Sequence, residues 1–344
     1  MAEDHKRAKD GLLGDGVYTR PADARDMQTY EIAKQTLSNF RAPILLDRDN
    51  PRQRLYVAAF DGTGNDADKN PEHATNIARI RDQIEQRGDE RIGVGYVAGP
   101  GTQTGRIARI SDGASGHTYG ERIEEMYELF IRQASEWKRQ ETNVEISIAD
   151  IGFGRGAEQA AGFSRIVHEY GIQDSTGAIY TRNENNEITG VRNTKPPVVK
   201  PGRVAQVLGL MDPVGTGEPI NDKDRRPSPS VISGFQIRAM NDIRVDFMGS
   251  NIIDQGTNSV GHSSGVSVAG AHSDVGGSYH RNGLSKRSGN LLIQAATPTT
   301  RLLPSQLRRF ARPCRSWPFD AAVPRSSFSV HHHRGLAVQQ AASR

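Results

Sequence analysis

The chain has 344 residues, with 44 basic and 40 acidic side chains and a formal net charge of +4. That length admits one large α/β domain or two smaller ones. A single cysteine, Cys314, excludes an internal disulfide framework, and no apolar run is long enough to cross a membrane.

The overall charge conceals an asymmetry. From Arg281 onward there are 11 basic residues and one acid, Asp320, which leaves 33 basic and 39 acidic residues in 1–280. The body is therefore acidic. It shows no basic face with interleaved aromatics, so no nucleic-acid partner is expected. The polar start, Met1-Ala2-Glu3-Asp4-His5-Lys6, has no apolar signal core. Synthesis in the cytoplasm without a Sec signal peptide is expected, which leaves open a specialised machine that exports folded cargo.

Residues 1–50 are polar and mixed in charge. They read as an N-terminal leader or surface wrap, with a short helix over 28–40. Leu55 to Phe60 is a buried strand, followed at once by Asp61-Gly62-Thr63-Gly64-Asn65-Asp66. A Gly-rich turn at the carboxyl end of a parallel strand is where α/β proteins place ligand-binding backbone. An oxyanion-hole loop and a plain turn both fit it. A phosphatase aspartate loop needs an acid where Thr63 stands. A calcium loop from Asp66, Asp68 and Asn70 fails at Pro71 and Ile77.

Thr75 or Asn76 caps a predicted helix to Arg87, with Gly88 beyond its end. Ile92 to Ala98 is the next strand. A long amphipathic helix over Tyr119–Arg139 follows, with Ile123, Met126, Phe130, Ala134 and Trp137 on its inner face. Residues 173–202 read as a surface insertion. Val204 to Met211 is a strand that ends in Asp212-Pro213-Val214-Gly215. Residues 218–262 lack a core pattern and read as a lid. Val266 to Ala271 is the last strand, ending in His272-Ser273-Asp274-Val275-Gly276-Gly277.

At the centre, Ile146 to Ile151 is an apolar strand that runs into Gly152-Phe153-Gly154-Arg155-Gly156 and a helix. This is the frame of a nucleophile elbow, G-x-S-x-G, with glycine in place of the serine. An elbow needs small residues two before and two after its centre, and it holds the centre at a strained, positive φ. Glycine takes that conformation at little steric cost. The hydroxyl that would attack a carbonyl is absent.

Strands ending in functional-looking loops at Asp61, Gly154, Asp212 and His272 predict an α/β-hydrolase-like fold: a mostly parallel, doubly wound sheet with lid-like insertions. The order of nucleophile position, acid and histidine is that of the α/β hydrolases. Asp212 and His272 are the candidate acid and base. A literal G-x-S-x-G at Gly261–Gly265 precedes a strand, where an elbow must follow one, which leaves Ser263 a poor nucleophile. Ser164 lies inside the helix after the elbow, and Ser273 adjoins His272. A metal site from His272, Asp274 and His280 matches no strong ligand spacing, and His331-His332-His333 is a metal tract by composition only.

With these four motifs in this order, the chain resembles the catalytic domain of the type VI secretion lipase effectors, an α/β-hydrolase family formerly of unknown function. The family pattern is F-D-G-T-G-N, G-F-S-R-G-A, D-x-V-G and H-S-D-V-G-G. The likeness covers residues 51–292, with insertions at 173–202 and 218–262. It implies a serine hydrolase of phospholipid acyl esters that needs no metal or cofactor. It further implies delivery by type VI secretion, with a secretion-machine component, a phospholipid membrane surface and an immunity protein as partners. Carried over by position, Gly154 is the vacant nucleophile position, Asp212 the acid and His272 the base. Arg155 N–H and the Gly62-Thr63 backbone form the oxyanion hole. Loss of the nucleophile predicts loss of activity in this chain. The alternative is a non-catalytic, degenerate relative that binds lipid or an immunity protein. Residues 293–344 fall outside the likeness and read as a basic, disordered or frame-shifted tail.

Overall fold

A computed structural model of the chain describes residues 17–99, 119–182, 188–215, 226–242, 249–296 and 329–332. The elements are β1 (Tyr18–Pro21), α1 (Ala24–Leu37), β2 (Gln53–Phe60), α2 (Asn76–Arg87), β3 (Ile92–Val97), α3 (Tyr119–Gln140), β4 (Glu145–Phe153), α4 (Arg155–Tyr170), β5 (Ala178–Arg182), β6 (Ile188–Asn193), β7 (Ala205–Met211), β8 (Val231–Ala239), β9 (Gly256–Thr257), β10 (Ser263–Val268), α5 (His272–Gly276), α6 (Gly283–Ala296) and β11 (Ser329–His332).

The central sheet has seven strands in the order β3-β2-β4-β7-β8-β10-β9. The pairs from β3 to β10 are parallel, and only the two-residue edge strand β9 runs antiparallel. Successive strand residues face opposite sides, so one strand feeds two cores. Leu55, Val57 and Ala59 enter one core, covered by α1, α2 and α6. Tyr56, Ala58 and Phe60 enter the other, covered by α3 and α4. Helices on both faces make the sheet doubly wound.

Local signals explain the helices. Thr75 caps α2 by accepting the Ala78 N–H, and Gly88 ends it at φ 60. Ile123, Met126, Phe130, Ala134 and Trp137 recur at helical spacing along α3, and all five are buried. Asp23 forms a capping box with Asp26 at the start of α1.

Three stretches differ from the sequence reading. The supposed leader carries the expected helix, as α1 over Ala24–Leu37, but it is no mere leader or wrap: Tyr30, Ala33, Leu37, Leu45 and Leu46 belong to the core. Their apolar residues are spaced among charges, which masks them in a composition count. The supposed lid contains β8, a central strand with Phe235 and Ile237 buried. Gly234 and Gln236 interrupt its apolar pattern. Gln236 is buried because its side chain caps the backbone of Ser250, Ile252 and Ile253. Past residue 292, α6 continues to Ala296 with Ala295 buried, and Ser329–His332 pairs with Tyr18–Pro21. The remainder of the tail reading, 297–328 and 333–344, lies outside the described residues, as do 1–16 of the leader, 183–187 of the first insertion, and 218–225 and 243–248 of the lid reading. Within the first insertion, β5 and β6 form a hairpin apart from the central sheet.

Strand order sets the site. From β2 the chain steps outward to β3 and then returns to β4 on the other side of β2. The loops after β2 and β4 therefore leave the sheet side by side at a topological switch point, where open α/β sheets bind ligands.

Candidate active site

Gly154 occupies the apex between β4 and α4 with φ 57 and ψ −123. Its N–H donates to Met211 O at 3.0 Å, and its carbonyl accepts from Val214 N–H at 3.2 Å. The elbow is thus stitched to the loop that carries Asp212. The flanking glycines are required by contact. A β-carbon on Gly156 would lie 2.4 Å from the carbonyl oxygens of Phe60 and Asp61, and one on Gly152 would lie 2.4 Å from Gly156 O.

Asp212 follows β7 and is buried, with a left-handed φ of 41 that a non-glycine residue seldom adopts. Its Oδ1 accepts the Ala239 N–H at 2.8 Å, and its Oδ2 accepts from His272 Nδ1 at 2.7 Å. That contact leaves Nε2 as the free end of the imidazole. A β-carbon on Gly154 would stand 2.8 Å from His272 Nε2 and 3.1 Å from Cε1. The structure therefore brings Gly154, Asp212 and His272 together, with His272 facing the vacant position. The ring of Phe153 lies 4.3 Å from that of His272 at an interplanar angle of 30°.

The loop after β2 is held by its own residues. Asp61 is buried, and it accepts from Gly62 N–H at 2.7 Å, Thr75 Oγ1 at 2.9 Å and Tyr96 Oη at 2.6 Å. Burial pushes its carboxyl up to about 6 against those three hydrogen bonds. Asn65 Nδ2 donates to the carbonyls of Gly62 and Thr63 at 3.1 and 3.2 Å. Gly62 N–H is thus committed to Asp61. Thr63 N–H makes no hydrogen bond among the described residues. Of the Gly62-Thr63 pair assigned to the oxyanion hole, Thr63 is the one with a donor to offer. The side-chain Nε of Arg155 donates to Thr63 Oγ1, which ties this loop to the elbow. Arg155 opens α4, so its N–H sits at the positive end of a helix dipole.

The decoy serines fall elsewhere. Ser263 begins β10, so it lies at the amino end of a parallel strand whose carboxyl end leads to His272. Ser164 is buried in α4 and donates to Ala161 O at 2.7 Å. Ser273 Oγ accepts from Ser278 Oγ at 3.1 Å. Ligand atoms of Asp212, Asp242 and His272 lie within 4.8 Å of one another, the set among the described residues best suited to a cation. The Asp212–His272 hydrogen bond already occupies the Nδ1 atom that such a cation would take. Asp242 escaped the sequence reading because β8 was not recognised. The signal was an acid three residues past a strand end.

The profile of the catalytic domain of Tle1-like phospholipase effectors of type VI secretion matches residues 54–295. The chain belongs to that family. A crystal structure of an uncharacterized protein from Pseudomonas aeruginosa aligns at a TM-score of 0.43 and 15% identity, over 84% of this chain and 52% of that one. The Tle1 effector bound to the VgrG spike aligns at 0.36 and 19% identity, over 70% of this chain and 52% of that one. Esterase 2 of Thermogutta terrifontis aligns at 0.33 and 14% identity, over 76% of this chain and 90% of that one. The chain spans about half the length of the first two. No curated protein sequence matches it. This Tle1-like domain has a mostly parallel central sheet flanked by helices on both faces.

Proposed function

We propose that this domain is a phospholipase-type serine hydrolase whose catalytic apparatus is complete except for the nucleophile. The observation that carries this reading is the line from Asp212 through His272 to Gly154. His272 Nδ1 lies 2.7 Å from Asp212 Oδ2, and its other ring nitrogen faces the position of a Gly154 β-carbon at 2.8 Å.

The chemistry follows from that line. In a Gly154→Ser form the hydroxyl would attack the acyl carbonyl of a phospholipid while Nε2 takes its proton. Asp212 would hold the tautomer and stabilise the imidazolium. The N–H groups of Thr63 and Arg155 would receive the oxyanion. Collapse would expel the lysophospholipid alcohol with the proton from His272, and water would release the fatty acid by the same steps. Without a hydroxyl no acyl-enzyme forms. Oxyanion hole and binding alone leave about 10³–10⁴-fold acceleration over water in hydrolases stripped of a triad member.

Family membership supports a place in an antibacterial effector system. Delivery with a VgrG-type spike, action at a phospholipid membrane surface and neutralisation by an immunity protein belong to this proposal. The second reading, a non-catalytic relative that binds lipid or an immunity protein, draws on Gly154 itself. Phospholipid hydrolysis by the chain beside its Gly154→Ser variant separates the two, with circular dichroism verifying the fold of each. Activity in the serine variant alone supports the silenced lipase. Equal activity in both would refute the site. Silence from two folded proteins would favour the binding remnant.

A further inference from the structure

The turn after β8 brings a second carboxylate to His272. Asp242 Oδ2 lies 4.0 Å from His272 Nδ1, the atom that Asp212 Oδ2 contacts at 2.7 Å. The side chains of Asp212 and Asp242 are only 3% and 9% exposed. A distance of 4.0 Å is too long for a hydrogen bond and within the range of an ion pair.

The placement of Asp242 is built into the backbone. Ala239 N–H donates to Asp212 Oδ1 at 2.8 Å, and Met240 N–H donates to Val268 O at 2.9 Å. Asn241 N–H donates to Gly270 O at 3.0 Å, and Gly270 N–H returns to Asn241 Oδ1 at 2.8 Å. Residues 239–241 thus clamp the Asp212 loop on one side. On the other they clamp the β10–α5 connection that leads into His272. Asp242 is the next residue.

We propose that Asp242 is a second acid for His272, a positioning residue that steadies the protonated imidazole and takes over from Asp212 when that carboxylate is removed. The inference rests on the reading of His272 as general base. An imidazole that accepts a proton becomes a cation, and a second shielded carboxylate on its Nδ1 side stabilises that cation where the dielectric is low. A ring movement of about 1 Å would turn the ion-pair distance into a hydrogen bond.

Two readouts test it. The first is the low-field proton resonance of the His272 Nδ1–H in acidic buffer, recorded on the chain without other changes. It is expected to survive Asp212→Asn and to vanish in Asp212→Asn/Asp242→Asn. The second is phospholipid hydrolysis in the Gly154→Ser background. Asp242→Asn is expected to lower the rate about 3–10-fold and Asp212→Asn about 100-fold. The double substitution is expected to cost about 10⁴-fold, the loss typical of a triad with no acid. Loss of the resonance in Asp212→Asn alone overturns the proposal. So do single losses that multiply to the double one. If Asp212→Asn fails to fold by circular dichroism, Asp242→Asn alone decides, and an unchanged resonance and rate reject a second acid. A resonance that behaves as expected while every Gly154→Ser form is inert would sink the lipase reading and leave the second acid standing.

Discussion

His272 Nε2 stands 2.8 Å from where a β-carbon on Gly154 would be. Real β-carbons do not approach a ring nitrogen so closely. The imidazole therefore occupies space that a serine side chain would fill. It can retreat, because it is the end of a side chain rather than backbone. Restoring a hydroxyl thus has two opposed consequences, a gain in chemistry and a local strain.

Gly154→Ala isolates the strain. At φ 57 a β-carbon is unfavourable, and it must also displace His272. We expect a stability loss of about 1–3 kcal/mol in urea unfolding. Gly154→Ser is expected to lose a similar amount and, alone of the two, to gain phospholipid hydrolysis of at least about 10³-fold. A gain in the alanine variant would mean that displacing His272, rather than adding the hydroxyl, creates the activity.

Gly156→Ala is expected to be worse than either. Its β-carbon would meet two backbone oxygens of β2 and the following loop at 2.4 Å. Neither can swing away as a side chain can. We expect a loss of about 3 kcal/mol or more, read as failure to purify as a folded protein or as a large drop in urea midpoint. An unchanged midpoint would show that β2 and α4 cross less tightly than described.

The sequence makes this crossing visible because glycines at fixed offsets are a local signal. Asp212 and His272 were equally legible, each ending an apolar run. Asp242 was not. Its strand contains Gly234 and Gln236, whose burial depends on Ile253 and on the backbone of residues 250–253, contacts remote in sequence. The same holds for Leu45 and Leu46, which lie outside the named helices and strands and are buried in a core cluster most of whose other members are remote in sequence. Which N–H of the Gly62-Thr63 pair is already engaged was hidden for a subtler reason: the Gly62 N–H is held by a side chain. That side chain belongs to its own neighbour, Asp61, whose rotamer only the folded environment of Thr75 and Tyr96 selects.

Asp61 gives the domain a pH dependence. Its folded-state pKa is raised to about 6 from 3.8, chiefly by burial. A raised carboxyl favours folding while it is neutral, so its contribution is complete below about pH 4. It is lost as pH rises through about 6, amounting to about 3 kcal/mol. Asp150 acts in the same sense, since burial holds its carboxyl well above the ordinary value and neither oxygen has a hydrogen-bond partner among the described residues. Asp61→Asn keeps a polar group of the same shape among hydroxyls that can turn to accept. Urea unfolding between pH 4 and 7 should show a shallower decline in this variant than in the parent. A parallel decline would assign the slope to Asp150 and other groups.

Phe153 is wedged between the loop after β2 and α5. Its ring fills the space above Gly62 on the β2 loop, where a β-carbon would come within 2.6 Å, and above Gly276 on α5, at 2.0 Å. It also stacks on His272 at 4.3 Å. Such ring pairs contribute about 0.5–1.5 kcal/mol beyond their buried area. Phe153→Leu keeps an apolar side chain and removes the flat surface against which the imidazole rests. In the Gly154→Ser background we expect kcat to fall about tenfold with KM unchanged, because His272 would no longer be held in the plane that reaches the nucleophile. A rise in KM at constant kcat would instead mean that Phe153 lines the acyl-binding surface and leaves the base undisturbed.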